Sequence, residues 1–281
     1  MKKRTEYRAK LWTAGDLCDL QLVTATSRNH VFPRHFHDTY VIRVQKSGLE
    51  EFYYRQASHV SPAGSIVVIH PDEVRTGRGA SEEDWAYRAF YPSPTLIHEV
   101  VSESGLKSLP FFSAPVIVDP NLSHSLNHLH NLLEVSGDSL ERQAAFLATM
   151  RTLITRHAGV STAPQPTRAE RRAAKIAREY IEANFRDNLS LDQLASLAGL
   201  NRFYFLRSFR KEVGLPPHEF LTQVRIERAK KLLIRGMPIA QVALETGFVD
   251  QSHLTHRFKR FVGLTPKQYS QQSSSYKRIF V

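Results

Sequence analysis

The sequence predicts an α+β protein of two domains. The N-terminal domain is a β-barrel or jelly roll with a helical hairpin, and the C-terminal one is all-α with two helix-turn-helix units. Three observations carry that prediction. Short β-branched and aromatic runs, broken by glycine and proline, fill residues 20 to 120, as many short strands do. The apolar spacing then becomes helical. Finally, one stretch near the C-terminus occurs twice, and the whole net charge lies with it.

The expected strands are Gln21–Ala25, Thr39–Val44, Glu50–Tyr54, Ser65–Ile69, Ala86–Tyr91 and Val116–Val118. Gly48, Pro62-Ala63-Gly64 and Gly77 to Gly79 are expected to separate them. From Asn121 to His157 the pattern is a helical hairpin. Leu126, Leu129, Leu132 and Leu133 form one stripe, Ser136-Gly137-Asp138 breaks it, and Phe146, Leu147, Met150, Leu153 and Ile154 form the next. Residues Gly159 to Thr167, GVSTAPQPT, are small and proline-rich and lack periodicity, as linkers do. The expected domains are therefore 1–160 and 168–281, joined by 161–167.

A helix is expected from Ala169 to Asn184, with Asn188-Leu189-Ser190 capping the next. Leu191-Asp192-Gln193-Leu194-Ala195 overlays Ile239-Ala240-Gln241-Val242-Ala243, which places Gly199 on Gly247. The second copy then has one extra residue, after which Phe205, Phe209, Gly214, Pro217 and Phe220 match Leu254, Phe258, Gly263, Pro266 and Tyr269. Each copy reads as a short helix, a glycine turn and a second helix. Pro217 opens a long helix to Ile234 that joins the copies; at about 1.5 Å per residue it spans roughly 25 to 30 Å, somewhat less than the roughly 34 Å between major-groove faces on one side of B-DNA.

Charge separates the two halves. From Arg168 onward there are 21 Lys and Arg against 10 Asp and Glu, whereas the first 167 residues hold 17 of each. A strongly basic domain joined to a neutral one is what a nucleic-acid reader joined to a sensor would show. Cys18 is the one cysteine, so no internal disulfide forms, as expected of a reducing compartment. No run approaches the ~18 apolar residues of a membrane helix. A cytoplasmic protein with no membrane partner is expected.

Residues 168 to 273 resemble the AraC/XylS family of bacterial transcription regulators, through LDQLASLAGLNRFYFLRSFRKEVGLPPHEF and IAQVALETGFVDQSHLTHRFKRFVGLTPKQY. The strand-rich half is similar to that family's cupin-type sensory barrel, in PRHFHDTYVIRVQKSG and SPAGSIVVIHPDEVRTG. The resemblance implies recognition helices from Arg202 to Lys211 and from Gln251 to Arg260 in adjacent major-groove segments. Arg202, Phe203, Leu206 and Arg207, then Gln251, Ser252, His253, Thr255 and His256, would form the reading face. Arg207 is the strongest base-contact candidate, since a guanidinium bridges guanine O6 and N7. Arg210, Lys211, Lys259 and Arg260 suit phosphates. His256 stands where family members often carry Arg.

Within the barrel, His35 and His37 would share one side of a strand, an arrangement that holds a metal in cupin enzymes. The usual glutamate falls near Val41 or Ile42, and the usual second-strand histidine is Arg75. A catalytic metal is therefore not expected, nor any other cofactor. An arginine there favours an anionic ligand such as a carboxylate. The candidate pocket residues are His35, His37, Tyr40, Tyr53 and Arg75. His124, His128 and His130 have metal-like spacing but no acidic or cysteine partner nearby, and are expected to face solvent.

The function expected is a non-enzymatic transcription regulator, an activator, that binds double-stranded promoter DNA and a small-molecule effector. The family further implies a homodimer, paired through Asn121 to His157, and contact with RNA polymerase. Three rival readings are a metal-dependent cupin enzyme with an appended DNA-binding domain, a ligand-independent regulator whose barrel serves dimerisation, and an alkyl-transfer repair regulator, for which Cys18 stands alone.

Overall fold

A computed structural model describes residues 6–28, 30–80, 84–103, 109–159 and 168–277, so the expected linker lies outside the described residues. The chain splits into two compact units.

The N-terminal part of the chain runs through β1 (Glu6–Ala14), β2 (Leu20–Arg28), β3 (Val31–His35), β4 (Val41–Ser47), β5 (Glu50–Tyr54), β6 (Ala57–Ser61), β7 (Ile66–Ile69), β8 (Arg75–Gly79) and β9 (Trp85–Tyr91). It continues with α1 (Pro94–Glu103), β10 (Val116–Ile117), α2 (Pro120–Val135) and α3 (Ser139–His157). The strands form a six-stranded sheet in the order β1-β2-β9-β4-β7-β10 and a four-stranded sheet in the order β3-β8-β5-β6.

The period of two in β4 explains how the layers assemble. Ile42 and Val44, with Phe90, Ile66 and Val68, pack under Leu122, Leu126, Leu129, Phe146 and Met150 of the helical hairpin. Val41, with Val67 and Ile69, packs instead against Phe52 and Tyr54 of the other sheet. β4 is thus buried on both faces because a layer covers each. Arg43 alternates with its neighbours and is carried into the space between the sheets, where it is buried.

Several elements differ from expectation. Gly77 and Gly79 lie inside β8, paired with β5 through Glu50 and Gly79, rather than in a turn. The turn between β5 and β6 contains no glycine: Arg55 and Gln56 both have positive φ, 49° and 63°. Tertiary bonds hold it there, because Arg55 pairs with Glu73 at 2.7 Å and donates to the Phe112 carbonyl at 2.9 Å. The helical hairpin forms as expected, with Asp119 and Asp138 capping its two helices through Leu122 and through Leu140 and Glu141. His130 is buried rather than solvent-facing, its Nε2 3.2 Å from the Val23 carbonyl, while His124 and His128 are exposed.

The second unit contains α4 (Arg168–Ala183), α5 (Leu191–Leu197), α6 (Arg202–Val213), α7 (Pro217–Ile234), α8 (Ile239–Glu245), α9 (Gln251–Val262) and α10 (Pro266–Lys277). The sequence repeat is also a packing repeat. Phe209 meets Phe220 edge-on at 5.8 Å, and at the matching positions Phe258 meets Tyr269 edge-on at 5.3 Å. α10 carries one more helix than the sequence pattern suggested.

Candidate DNA interface and sensory interior

The two helix-turn-helix units are closed by the same backbone bonds. Leu200 N–H donates to the Ala195 carbonyl at 3.0 Å, and Phe248 N–H to the Ala243 carbonyl at 2.9 Å. Both turns pass through glycine in the left-handed region, Gly199 at φ 66° and Gly247 at φ 77°. Each second helix is then started by a side-chain cap and stopped by a glycine. Asn201 accepts from Tyr204 N–H and Asp250 from His253 N–H, and Gly214 and Gly263 close the C-termini.

Burial fixes which faces remain outward. On α6 the buried residues are Phe205, Ser208, Phe209 and Val213. Arg202, Phe203, Arg207, Arg210 and Lys211 are exposed. Leu206 is only partly exposed and lines an apolar groove with Leu194 and Leu221, so it does not join Arg207 on the outer face. Tyr204 does join it, exposed and with the Arg207 guanidinium 6.0 Å from its ring; an exposed aromatic among basic residues was the sequence signal for it. On α9, Leu254, Phe258 and Phe261 are buried, and Gln251, Ser252, His256, Lys259 and Arg260 are exposed. Thr255 is half-buried, and His253 packs edge-on against Phe248 at 5.3 Å with Arg257 3.4 Å away.

One arginine sets the two units against each other. Arg225 of α7 donates to the carbonyls of Phe185 at 2.7 Å and Asp187 at 3.0 Å, just before α5. A Cβ on Gly247 would stand 2.8 Å from the Arg186 carbonyl and 3.1 Å from the Arg225 guanidinium. The turn of the second unit therefore rests on the chain entering the first. Arg186 reinforces this by pairing with Glu245 at 2.8 Å.

The sensory candidates do not converge on one place. Arg75 is buried between the sheets and pairs with Glu50 at 2.5 Å. Tyr40 is buried with its hydroxyl 3.3 Å from the Pro110 carbonyl, and burial pushes that hydroxyl up to about 12. Tyr53 lies on the outer side of β5, beside Glu51, because Glu50, Phe52 and Tyr54 take the inner positions. β3 ends at His35, so the strand geometry expected to align His35 with His37 does not extend to both. His35 contacts the Pro33 carbonyl at 2.8 Å, whereas His37 packs edge-on against Tyr91. Among the described residues no group of three or more metal-ligating side chains converges.

What lies between the sheets is a polar cluster that the sequence reading named only through Arg75. Arg43 also pairs with Glu50, and its guanidinium lies 4.8 Å from the Tyr87 ring and 5.5 Å from that of Trp85. Burial, and then Arg75, pull Arg43 down to about 9. Tyr87 is raised by burial, and its hydroxyl meets that of Tyr7 at 3.0 Å. Ser27 Oγ and Gln45 Oε1 are buried with no hydrogen-bond partner among the described residues. Arg43 and Gln45, at alternate positions of β4 from Val41, were the available signal, masked by the apolar run around them.

Two family models match the chain: an AraC-like ligand binding domain over residues 17–150 and a helix-turn-helix domain over residues 194–272. The HTH-type transcriptional regulator YbfI of Bacillus subtilis (strain 168) is 34% identical over 227 residues, covering 79% of this chain and 81% of its own. The chain belongs to the AraC family of transcriptional regulators.

It also resembles the HTH-type transcriptional activator AarP of Providencia stuartii, at 33% identity over 103 residues, which are 36% of this chain and 76% of AarP. Apo ToxT K231A from Vibrio cholerae shares the fold across 96% of this chain and 98% of its own, at a TM-score of 0.60 and 12% identity. Unsaturated-fatty-acid-bound ToxT does so at a TM-score of 0.57 and 13% identity, covering 98% and 99%. This AraC-family regulator thus has a DNA-binding domain in its second unit and a ligand-binding domain in its first. No helix among its described residues is long and apolar enough to cross a membrane.

Proposed function

We propose that this regulator is a homodimeric activator that sets α6 and α9 in successive major-groove segments of promoter DNA and responds to a small carboxylate held between its two sheets. The observation that carries the DNA reading is the duplicated unit, with the same turn bonds, the same aromatic pair and an outward basic face on each second helix. Arg207 reads guanine, with Arg202, Gln251, Ser252 and His256 meeting other base edges. Arg210, Lys211, Lys259 and Arg260 hold phosphates. Phe203 is 70% exposed and suits a thymine methyl.

For the effector, Arg43 and Arg75 share the carboxylate of Glu50, which among the described residues leaves one buried positive charge without a carboxylate of its own. Ser27 Oγ and Gln45 Oε1 add hydrogen-bonding groups to the same interior. An anion with hydroxyl or amide groups meets both needs. The fatty acid on ToxT, itself a carboxylate, agrees with that chemistry. Dimerisation through α2 and α3 is supported by Val135 and Leu140, which are 78% and 77% exposed at the hairpin tip. The activator relative AarP supports activation, with RNA polymerase as the further partner.

The test is selection of a preferred site from random DNA, followed by anisotropy titrations over a range of salt. Arg207→Ala is expected to cost about 1–3 kcal/mol at the selected site, and Lys211→Ala to weaken all sequences alike. Equal discrimination by Arg207→Ala and wild type would sink the reading. A panel of carboxylates should raise Tm in the wild type but not in Arg75→Gln.

A further inference from the structure

The groove that withdraws Leu206 from the reading face is a cavity of about 410 Å3, within the roughly 300–1,000 Å3 range of small-molecule sites. Leu189, Leu194, Leu206, Pro216 and Leu221 line it, together with two exposed polar side chains, Arg210 and His218. The repeat supplies an internal control on what the fold requires. At the matching positions of the second unit, Leu206 becomes Thr255, Pro216 becomes Thr265 and Leu221 becomes Ser270, while Arg210 keeps its charge as Lys259. A helix-turn-helix of this type is therefore built with polar residues at those three positions, and their apolar character in the first copy is surplus to folding, whereas Leu189 and Leu194 match apolar Met237 and Val242. A largely apolar lining that carries one guanidinium, with the His218 imidazole beside it, complements a monoanion with an apolar tail.

The geometry points to a second ligand site, inside the DNA-binding unit, for an apolar monocarboxylate whose tail fills this groove and whose head pairs with Arg210. Leu206 and Arg210 are on α6, one turn apart on the helix that carries Arg207. Occupancy withdraws Arg210 from phosphate and brings a negative charge to the DNA-facing side, so the ligand weakens DNA binding. That last consequence rests on the proposed function; the site itself does not.

The experiment is isothermal titration calorimetry of the full chain with sodium decanoate, held below its micelle concentration. Wild type is expected to bind decanoate roughly tenfold more tightly than either Arg210→Gln or the double variant Leu206→Thr/Leu221→Ser, which carries the second unit's own residues. Decanol, with the same tail and no charge, should bind wild type about as weakly as decanoate binds Arg210→Gln. Should the double variant fail to fold, Arg210→Gln, changed only at an exposed side chain, retains the test. Equal affinity in wild type and Arg210→Gln, or no decanoate heat at millimolar concentration, overturns the site. A chain that binds decanoate with the expected variant pattern but shows no preference for any DNA supports this site and removes the reading of the previous subsection.

Discussion

Gly247 and Gly199 occupy the same turn in two copies, yet their surroundings differ. A Cβ at Gly199 would meet nothing within 4 Å, whereas one at Gly247 would meet the Arg186 carbonyl at 2.8 Å. Both have φ near +70°, so alanine strains each backbone by about 1 kcal/mol or more. Gly247→Ala should therefore lose roughly 1–2 kcal/mol beyond Gly199→Ala, measured by urea unfolding of the two variants side by side. Equal losses would mean that the contact with Arg186 is easily relieved. At this scale the sequence was informative where one side chain governs the outcome: both turn glycines stand where the repeat placed them, and Arg207, named through the family resemblance, is exposed. It was less so where neighbours decide. Leu206 and Arg207 are adjacent and both fall on a helix face open to reading, and only the packing of α5 and α7 assigns one to a groove and the other to solvent.

At the level of elements, α7 sets the distance between the reading helices. Its 18 residues span about 27 Å, and Arg225 fastens its middle to the chain that enters α5. Arg225→Ala leaves the Phe185 and Asp187 carbonyls without that donor and removes the support behind Gly247. The variant should tolerate one-base-pair insertions or deletions between half-sites that wild type rejects, seen as a flatter dependence of affinity on spacing in anisotropy titrations. A spacing profile identical to wild type would show that α7 alone fixes the geometry. The helices of this unit were legible because caps, glycines and apolar spacing agree. The strands were read less completely. RTGRG in β8 looks like a turn because glycine weakens strand propensity, and only pairing with β5 makes it a strand. The Arg55-Gln56 turn lacks glycine and asparagine, and a salt bridge from distant Glu73 compensates. α10, QQSSSY in its second half, has no apolar period to betray it.

Across the whole molecule, two buried histidines tie stability to acidity. His70 is lowered to about 4 by burial and then by Arg55, with Tyr54 and Glu73 also against it. His130 is lowered to about 3 by burial and then by Arg88, with Lys10 acting in the same direction. Both stay neutral when folded but take up protons near pH 6.5 when unfolded. Their contribution is complete above that pH and is lost as pH falls, until the folded forms titrate near pH 4 and 3. From pH 7.5 to 5 the loss should be on the order of 2–4 kcal/mol, read from urea midpoints, and His130→Leu should roughly halve the slope. A pH-independent midpoint would contradict the neutral assignment. The sensory interior was the least legible part of the chain. Its polar cluster draws on β2, β4, β5, β8 and β9, so residues far apart in sequence meet only when the two sheets stack.

The brace that Arg225 forms makes the second unit a jaw of fixed opening. A rigid gauge cannot stretch to its target, so the target has to bend, and the cost falls on base pairs that no side chain touches. Those silent positions between the two half-sites then become part of the operator. Promoters answering to this protein would be sorted as much by how readily their middle flexes as by the bases proposed to meet Arg207.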